Sequence, residues 1–493
     1  MILLDGEHLT CADLHAIAHG SRTQIHPTAA WKMRQNALSI PAGPSVLARK
    51  RQWLVGGHAQ SLEDDALLAR AFIIDHCAGV GDPLPRLMVR AATAARVNVL
   101  ACGVSGCRPA AAGALLAMLN QDIFPDVPSQ GSVGAAGDLA PMAHIAAMAC
   151  GYLDRPGGLP DYTPTPKEAL ALINGVSMTA GLAAIATVRA RRVFEAALLA
   201  AAMTMEMVRA DARCIDPRPL SVTHRGAAMV GQRLRDLLEG STQVTDQRDP
   251  DAFSIRCTPA VMGAVWRALS VVTVEVTREL NSASDNPLLF DGEWLEAGNF
   301  HGASVAMAMD HLKIALAQLA TLSERRTFRL THGQLSRGLP SFLVKGTGLN
   351  SGFMLAQYTA ASLASECKGF AHPASVDSIP TVQHHEDHVS MGPIAARMAL
   401  RSIECLADIV GIELLLAAQG LDMRMRGHAW DRNGLPIPAE PVTIAPKLAE
   451  IHTQIRKTVP FWEDDEILHP TINALGAMVR SGTLLENPPQ TPW

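Results

Sequence analysis

Residues 304–326, SVAMAMDHLKIALAQLATLSERR, decide the fold class. Val305, Met309, Leu312, Leu316 and Leu319 recur there at spacings of four and three, the seam of a helix packed against others. Alanines and methionines between them leave room for close neighbours on further sides. Residues 189–208, 352–368 and 393–419 have the same character, long and Ala-rich with few polar positions. Helices apolar on most faces are buried in bundles, often at subunit interfaces. Only 4% of residues are aromatic, and runs of Val, Ile, Thr and Tyr are scarce. The expectation is a mainly α protein, with an irregular N-terminal domain over 1–190 and a long-helix bundle with the C-terminal region over 191–493.

The chain has 493 residues, 48% hydrophobic and 18% charged, which excludes disorder as its dominant state. A net charge of −5 without basic tracts argues against nucleic acid as a partner. Nine scattered cysteines without a Cys-x-x-Cys pair suit a reducing compartment, and fit neither a disulfide framework nor a zinc ribbon. The first twenty residues carry acidic groups early and no basic region before an apolar run, unlike a signal peptide. The run 175–188, between Asn174 and Arg189, is short of the roughly 20 residues a membrane helix needs. A soluble cytoplasmic protein is expected.

The most specific stretch is Gly131-Ser132-Val133-Gly134-Ala135-Ala136-Gly137-Asp138-Leu139-Ala140-Pro141-Met142-Ala143-His144. Three glycines at intervals of three allow backbone turns that other residues would strain. The spacing misses the dinucleotide fingerprint, and no lysine follows to make a phosphate loop. Taken alone, this is a tight buried turn with Asp138 capping a helix start.

The loop closely resembles the signature of the histidine and aromatic amino-acid ammonia-lyases. Further stretches agree in the same order: Asp75-His76-Cys77-Ala78-Gly79, Leu172-Ile173-Asn174-Gly175, Phe253-Ser254-Ile255-Arg256-Cys257, Ser284-Asp285-Asn286-Pro287-Leu288 and Gly298-Asn299-Phe300-His301. Beyond them come Leu322-Ser323-Glu324-Arg325-Arg326, Asn350-Ser351-Gly352-Phe353-Met354, the run from His372 to Pro380, and Glu386-Asp387-His388-Val389-Ser390-Met391. The resemblance implies long central helices forming the core of a homotetramer, with each active site shared by three subunits. It also implies a self-made electrophile, a methylidene-imidazolone formed when an Ala-Ser-Gly tripeptide cyclises and loses two waters, one of them the serine hydroxyl.

This chain departs from that pattern. Its tripeptide is Ala135-Ala136-Gly137, and a methyl side chain has no leaving group, so the methylidene-imidazolone is expected to be absent and no other cofactor is implied. Ser132 cannot substitute, because Val133 follows it. The family's two functional tyrosines are also missing. One position is Phe253, and the loop of the other survives as Arg51-Gln52-Trp53-Leu54-Val55-Gly56-Gly57, with Trp53 in the place of the base. Neither phenyl nor indole can take a proton in general base catalysis.

Other family positions are retained. Arg256 matches the arginine that grips the substrate carboxylate, a role suited to its planar fork. Asn174 matches the asparagine beside the electrophile, and Phe300 and Glu386 match pocket positions. His76 matches the pocket histidine of the histidine-specific branch, while Asp75 stands where that branch typically has serine. Asp75, Asn174, Phe253, Arg256 and Phe300 are therefore the expected substrate-binding residues, and His76, His385 and Glu386 the expected catalytic ones. In His384-His385-Glu386-Asp387-His388 the first and last histidines have the spacing of a helix face, yet the order is not the metalloprotease one, and no metal is assigned. The expected function is acid–base chemistry, an elimination, addition or cyclisation, on a small amino-acid-like or aromatic carboxylate without the electrophile. A non-catalytic ligand-binding relative and a residual ammonia-lyase are the alternatives.

Overall fold

A computed structural model describes residues 1–43, 45–48, 64–154, 157–246, 250–345, 348–382, 385–430 and 435–485. Helices dominate it, and the strands form four separate two-stranded pairs. Val305, Met309, Leu312, Leu316 and Leu319, the seam read from the sequence, are all fully buried in the helix Ala303–Thr331. The other long helices are Ser177–Met207, Thr258–Leu280 and Gly392–Met425.

The chain divides into two compact units, each gathered from three segments instead of one contiguous stretch. The first comprises Met1–Val188, Val271–Asp310 and Pro373–Ala399. Its centre is the helix Arg86–Ala101, buried over 14 of its 16 residues, four of them polar, of which Thr93 donates to the Val89 carbonyl at 2.8 Å. Each needs a partner, because an unpaired buried polar group costs about 1–3 kcal/mol. Asn98 accepts from the Gly6 amide at 3.0 Å and donates to the Leu280 carbonyl at 2.8 Å. Arg90 reaches Asp122 at 2.7 Å. Arg96 donates only to the Ala171 carbonyl, leaving Nε and Nη2 without a hydrogen bond.

The second unit comprises Arg189–Ser270, His311–His372 and Leu400–Trp493. Arg326 and Glu413 form a fully buried ion pair there, with Nε–Oε1 at 2.5 Å and Nη2–Oε2 at 2.8 Å. Thr204 and Ser323 each donate a hydroxyl proton to the same carboxylate, at 2.8 and 2.6 Å. Four donors on one carboxylate satisfy the condition under which a buried charge is tolerated.

Two helices, Thr258–Leu280 and Ala303–Thr331, are long and apolar enough by composition to cross a membrane, which a search for uncharged runs does not reveal. In the second, 67% of the apolar window is buried inside the protein, as in the core helix of a bundle.

Candidate active site

The Ala135-Ala136-Gly137 turn is held by the segment that ends the helix Pro166–Ile173. A capping box between Thr165 and Glu168 starts that helix, and Asn174 closes it in an extended conformation. The chain then runs beside the turn, so that Gly137 and Gly175 form a parallel bridge. The Gly175 amide donates to the Ala136 carbonyl at 3.1 Å, and the Asp138 amide donates to the Gly175 carbonyl at 2.8 Å. Asn174 adds Nδ2 to the same Ala136 carbonyl at 2.9 Å. Its Oδ1 is buried without a hydrogen bond.

Glycine is required at both crossing points. A Cβ on Gly175, whose φ is +98°, would sit 1.7 Å from the Ser284 carbonyl oxygen. One on Gly137, at φ +88°, would lie 2.3 Å from the Gly175 backbone. Ala136 itself has φ +48°, a left-handed conformation uncommon outside glycine. Two donors on its carbonyl help hold it there.

Asp138 sits at the start of the helix Leu139–Ala149, as expected, but its side chain does not cap that helix. The fully buried carboxylate instead accepts from the Thr179 amide at 2.7 Å and the Thr179 hydroxyl at 2.9 Å. Burial pushes its pKa up to about 6, against those bonds and the nearby Arg96 charge. Burial likewise raises Glu279 to about 7, with the Asp138 charge adding to the effect. Lys167 and Asp285 form a buried pair at 2.7 Å in the same unit.

Glu386, His388 and Phe300 lie on loops, two of them joined to this turn or to one another by nearby contacts. The Met391 amide donates to the Val133 carbonyl at 2.9 Å, joining the segment after Glu386 to the glycine loop. Glu386 is half-buried and accepts from the Thr381 hydroxyl at 2.7 Å. His388 Nδ1 lies 3.1 Å from Nε2 of His301, the neighbour of half-buried Phe300. His385 is exposed, and His384 and the Trp53 segment lie outside the described residues. Among the described residues no group of three or more His, Cys, Asp or Glu side chains could hold a metal ion.

Asp75 and His76 end the helix Asp65–Asp75, which Asp64 caps through the Ala66 and Leu67 amides. His76 Nδ1 lies 2.5 Å from Asp75 Oδ1 and 2.8 Å from the Phe72 carbonyl. Phe253 and Arg256 belong to the second unit, on the single turn Phe253–Arg256, with the guanidinium carbon 5.0 Å from the phenyl centroid. Both are exposed.

Sequence reasoning passed over Arg96, Thr179 and Glu279. A charged residue inside the apolar run 91–101 was the available signal for Arg96. The partners of Thr179 and Glu279 are distant in the chain, and no local pattern marks them.

The helical fold carries a glycine turn braced by an Asn-Gly segment, and comparison with known proteins gives its class. Residues 55–457 match the aromatic amino acid lyase family, and the chain belongs to it. Histidine ammonia-lyase from Caldanaerobacter subterraneus subsp. tengcongensis is 41% identical over 449 residues, covering 86% of this chain and 85% of that protein. The histidine ammonia-lyase of Anaeromyxobacter sp. (strain K) is 39% identical, covering 98% and 99%. The crystal structure of histidine ammonia-lyase from Trypanosoma cruzi matches with a TM-score of 0.85 at 35% identity, covering 98% of this chain and 94% of that one. These relatives overturn the expectation of a separate acid–base reaction on an unspecified carboxylate. Likeness along nearly the whole chain to proteins that share one name favours ammonia-lyase chemistry instead.

Proposed function

We propose that this protein eliminates ammonia from histidine or a closely related aromatic amino acid, at a low rate. The likeness to histidine ammonia-lyases at up to 41% identity carries this reading. In the elimination a β C–H bond and the C–N bond break, a C=C bond forms, and the proton passes to a base as ammonia leaves. The products are an aryl acrylate and ammonia.

The backbone of the 135–137 turn suits the family's methylidene-imidazolone, with its doubly bonded carbonyl and its glycine crossing. The side chain at 136 does not fit, because it has no hydroxyl to lose. That group would supply an electrophile, and its want is the reason for a low rate. Within the first unit Asn174 orients the bound molecule, Phe300 lines the pocket, Asp75 and His76 meet the substrate ring, and His76, His385 and Glu386 move protons. Arg256 and Phe253, on the second unit, are the carboxylate-pairing and substrate-lining residues that the family resemblance implies.

A cytoplasmic homotetramer completes the reading. The helix Ala303–Thr331 exposes Met307, Ile314 and Phe328 at multiples of seven residues, and the helix Met354–Phe370 exposes Leu355 and Tyr358. Such stripes are what a second helical subunit would cover. The test is ammonia release from L-histidine, read with the ultraviolet absorbance of the conjugated acrylate, for wild type and Arg256→Ala. Slow release by wild type that falls at least tenfold in the variant supports the proposal, and release by neither protein refutes it.

A further inference from the structure

Two cysteines far apart in the chain meet inside the second unit. Cys367 lies in the last turn of the helix Met354–Phe370, and Cys405 lies in the helix Gly392–Met425. The Cys367 side chain is fully buried, with its thiol 3.7 Å from the Ser402 carbonyl. Ser402 and Cys405 are three residues apart and share a helix face. Beside them the Arg401 guanidinium carbon lies 4.6 Å from the Phe370 ring centroid, a second contact between the same two helices. The two thiols are themselves joined by a hydrogen bond, which lowers the pKa of half-buried Cys405 and raises that of Cys367. Burial and the carboxylates of Glu366 and Asp408 act against the lowering at Cys405, and the Arg401 charge adds to it. Elsewhere burial pushes Cys77 and Cys102 up to about 11 and Cys214 up to about 12. A thiolate is the nucleophile in thiol chemistry, so Cys405 is the better placed to react.

The geometry points to a reversible disulfide between Cys367 and Cys405, a modification site that takes a small disulfide of the glutathione class as its oxidant. Cys405 gives its proton to solvent, and its thiolate attacks one sulfur of the oxidant. A mixed disulfide forms, the oxidant's S–S bond breaks, and the first small thiolate leaves and takes up a proton. Cys367 then attacks the Cys405 sulfur, and its proton passes to the second small thiolate as that leaves. Two protein thiols are oxidised, and one small disulfide is reduced to two thiols. The loop closed by the new bond, residues 367–405, includes Glu386 and Met391. Formation of the bond does not depend on the lyase reading.

The experiment treats the full-length protein with oxidised glutathione at about pH 8, where the thiolate is favoured. Alkylation, digestion without reductant and mass spectrometry follow. Wild type is expected to yield a peptide pair joined through Cys367 and Cys405, which dithiothreitol separates. Its melting temperature should exceed that of the reduced protein by a few degrees, because the cross-link constrains the unfolded chain. Cys367→Ala should stop at a stable glutathione adduct on Cys405, whereas Cys405→Ala should leave buried Cys367 unmodified. Absence of the joined pair from wild type would overturn the proposal. So would a glutathione adduct that persists on Cys405 in wild type, or a bond from either residue to a different cysteine.

Discussion

The Asn174 side chain donates to the Ala136 carbonyl at 2.9 Å, next to the Gly175 amide that donates to the same oxygen at 3.1 Å. These two bonds tie the tripeptide to a helix end nearly forty residues further along the chain. Asn174→Ala removes one of them, costing about 1 kcal/mol of stability. Because the loss falls on the turn, ammonia release from L-histidine should drop about tenfold or more. Denaturant unfolding and the ammonia assay measure the two effects separately.

Gly175→Ala should be far more damaging. Its Cβ would overlap the Ser284 carbonyl oxygen at a φ that alanine rarely adopts. Relief requires the 174–175 segment to move off the turn. A loss of more than about 3 kcal/mol is expected, with no measurable turnover. Recovery of the wild-type melting temperature would show that the crossing is looser than described.

Asp138 makes stability depend on pH with a defined sign. Its folded pKa, about 6, lies above the unfolded value, so the folded state binds the extra proton. The resulting stabilisation is complete below about pH 4 and is lost as pH rises through about 6. Asp138→Asn keeps an acceptor for the Thr179 amide and removes the titration. The stability difference, variant minus wild type, should therefore grow between pH 4 and 7. A difference that stays flat over that range would contradict the assignment.

Glu413→Ala leaves Arg326 buried without its partner and should cost about 3–5 kcal/mol. The paired replacement Arg326→Met with Glu413→Leu should cost much less, since no charge is then stranded. Chemical denaturation of the two variants checks the order.

How much of this was legible in the sequence depended on distance along the chain. The five-residue seam of 304–326 is a local pattern, and all five residues are buried. The ordered motifs identified the family, because family membership rests on many positions at once. Asp138 reads as a helix cap in the local sequence, because capping is the local default and its partner Thr179 lies 41 residues away. The Arg326–Glu413 pair spans 87 residues, and only the folded helices bring it together. The function is hard to read locally for a related reason. The lost serine and tyrosines are conspicuous single positions, while the retained cradle around Ala136 is made largely of backbone contacts.

The 135–137 turn lacks one hydroxyl of the Ala-Ser-Gly tripeptide that the family resemblance implies. The most direct test is the intact mass of Ala136→Ser beside that of wild type. The wild-type mass is expected to equal that of its sequence, and the variant to be lighter than its own sequence by two waters. Ammonia release by the variant should be faster by roughly a thousandfold, about 4 kcal/mol of barrier. A variant at its full sequence mass would show that the cradle no longer supports cyclisation, and a wild type already lighter by water would show that the turn reacts without the serine.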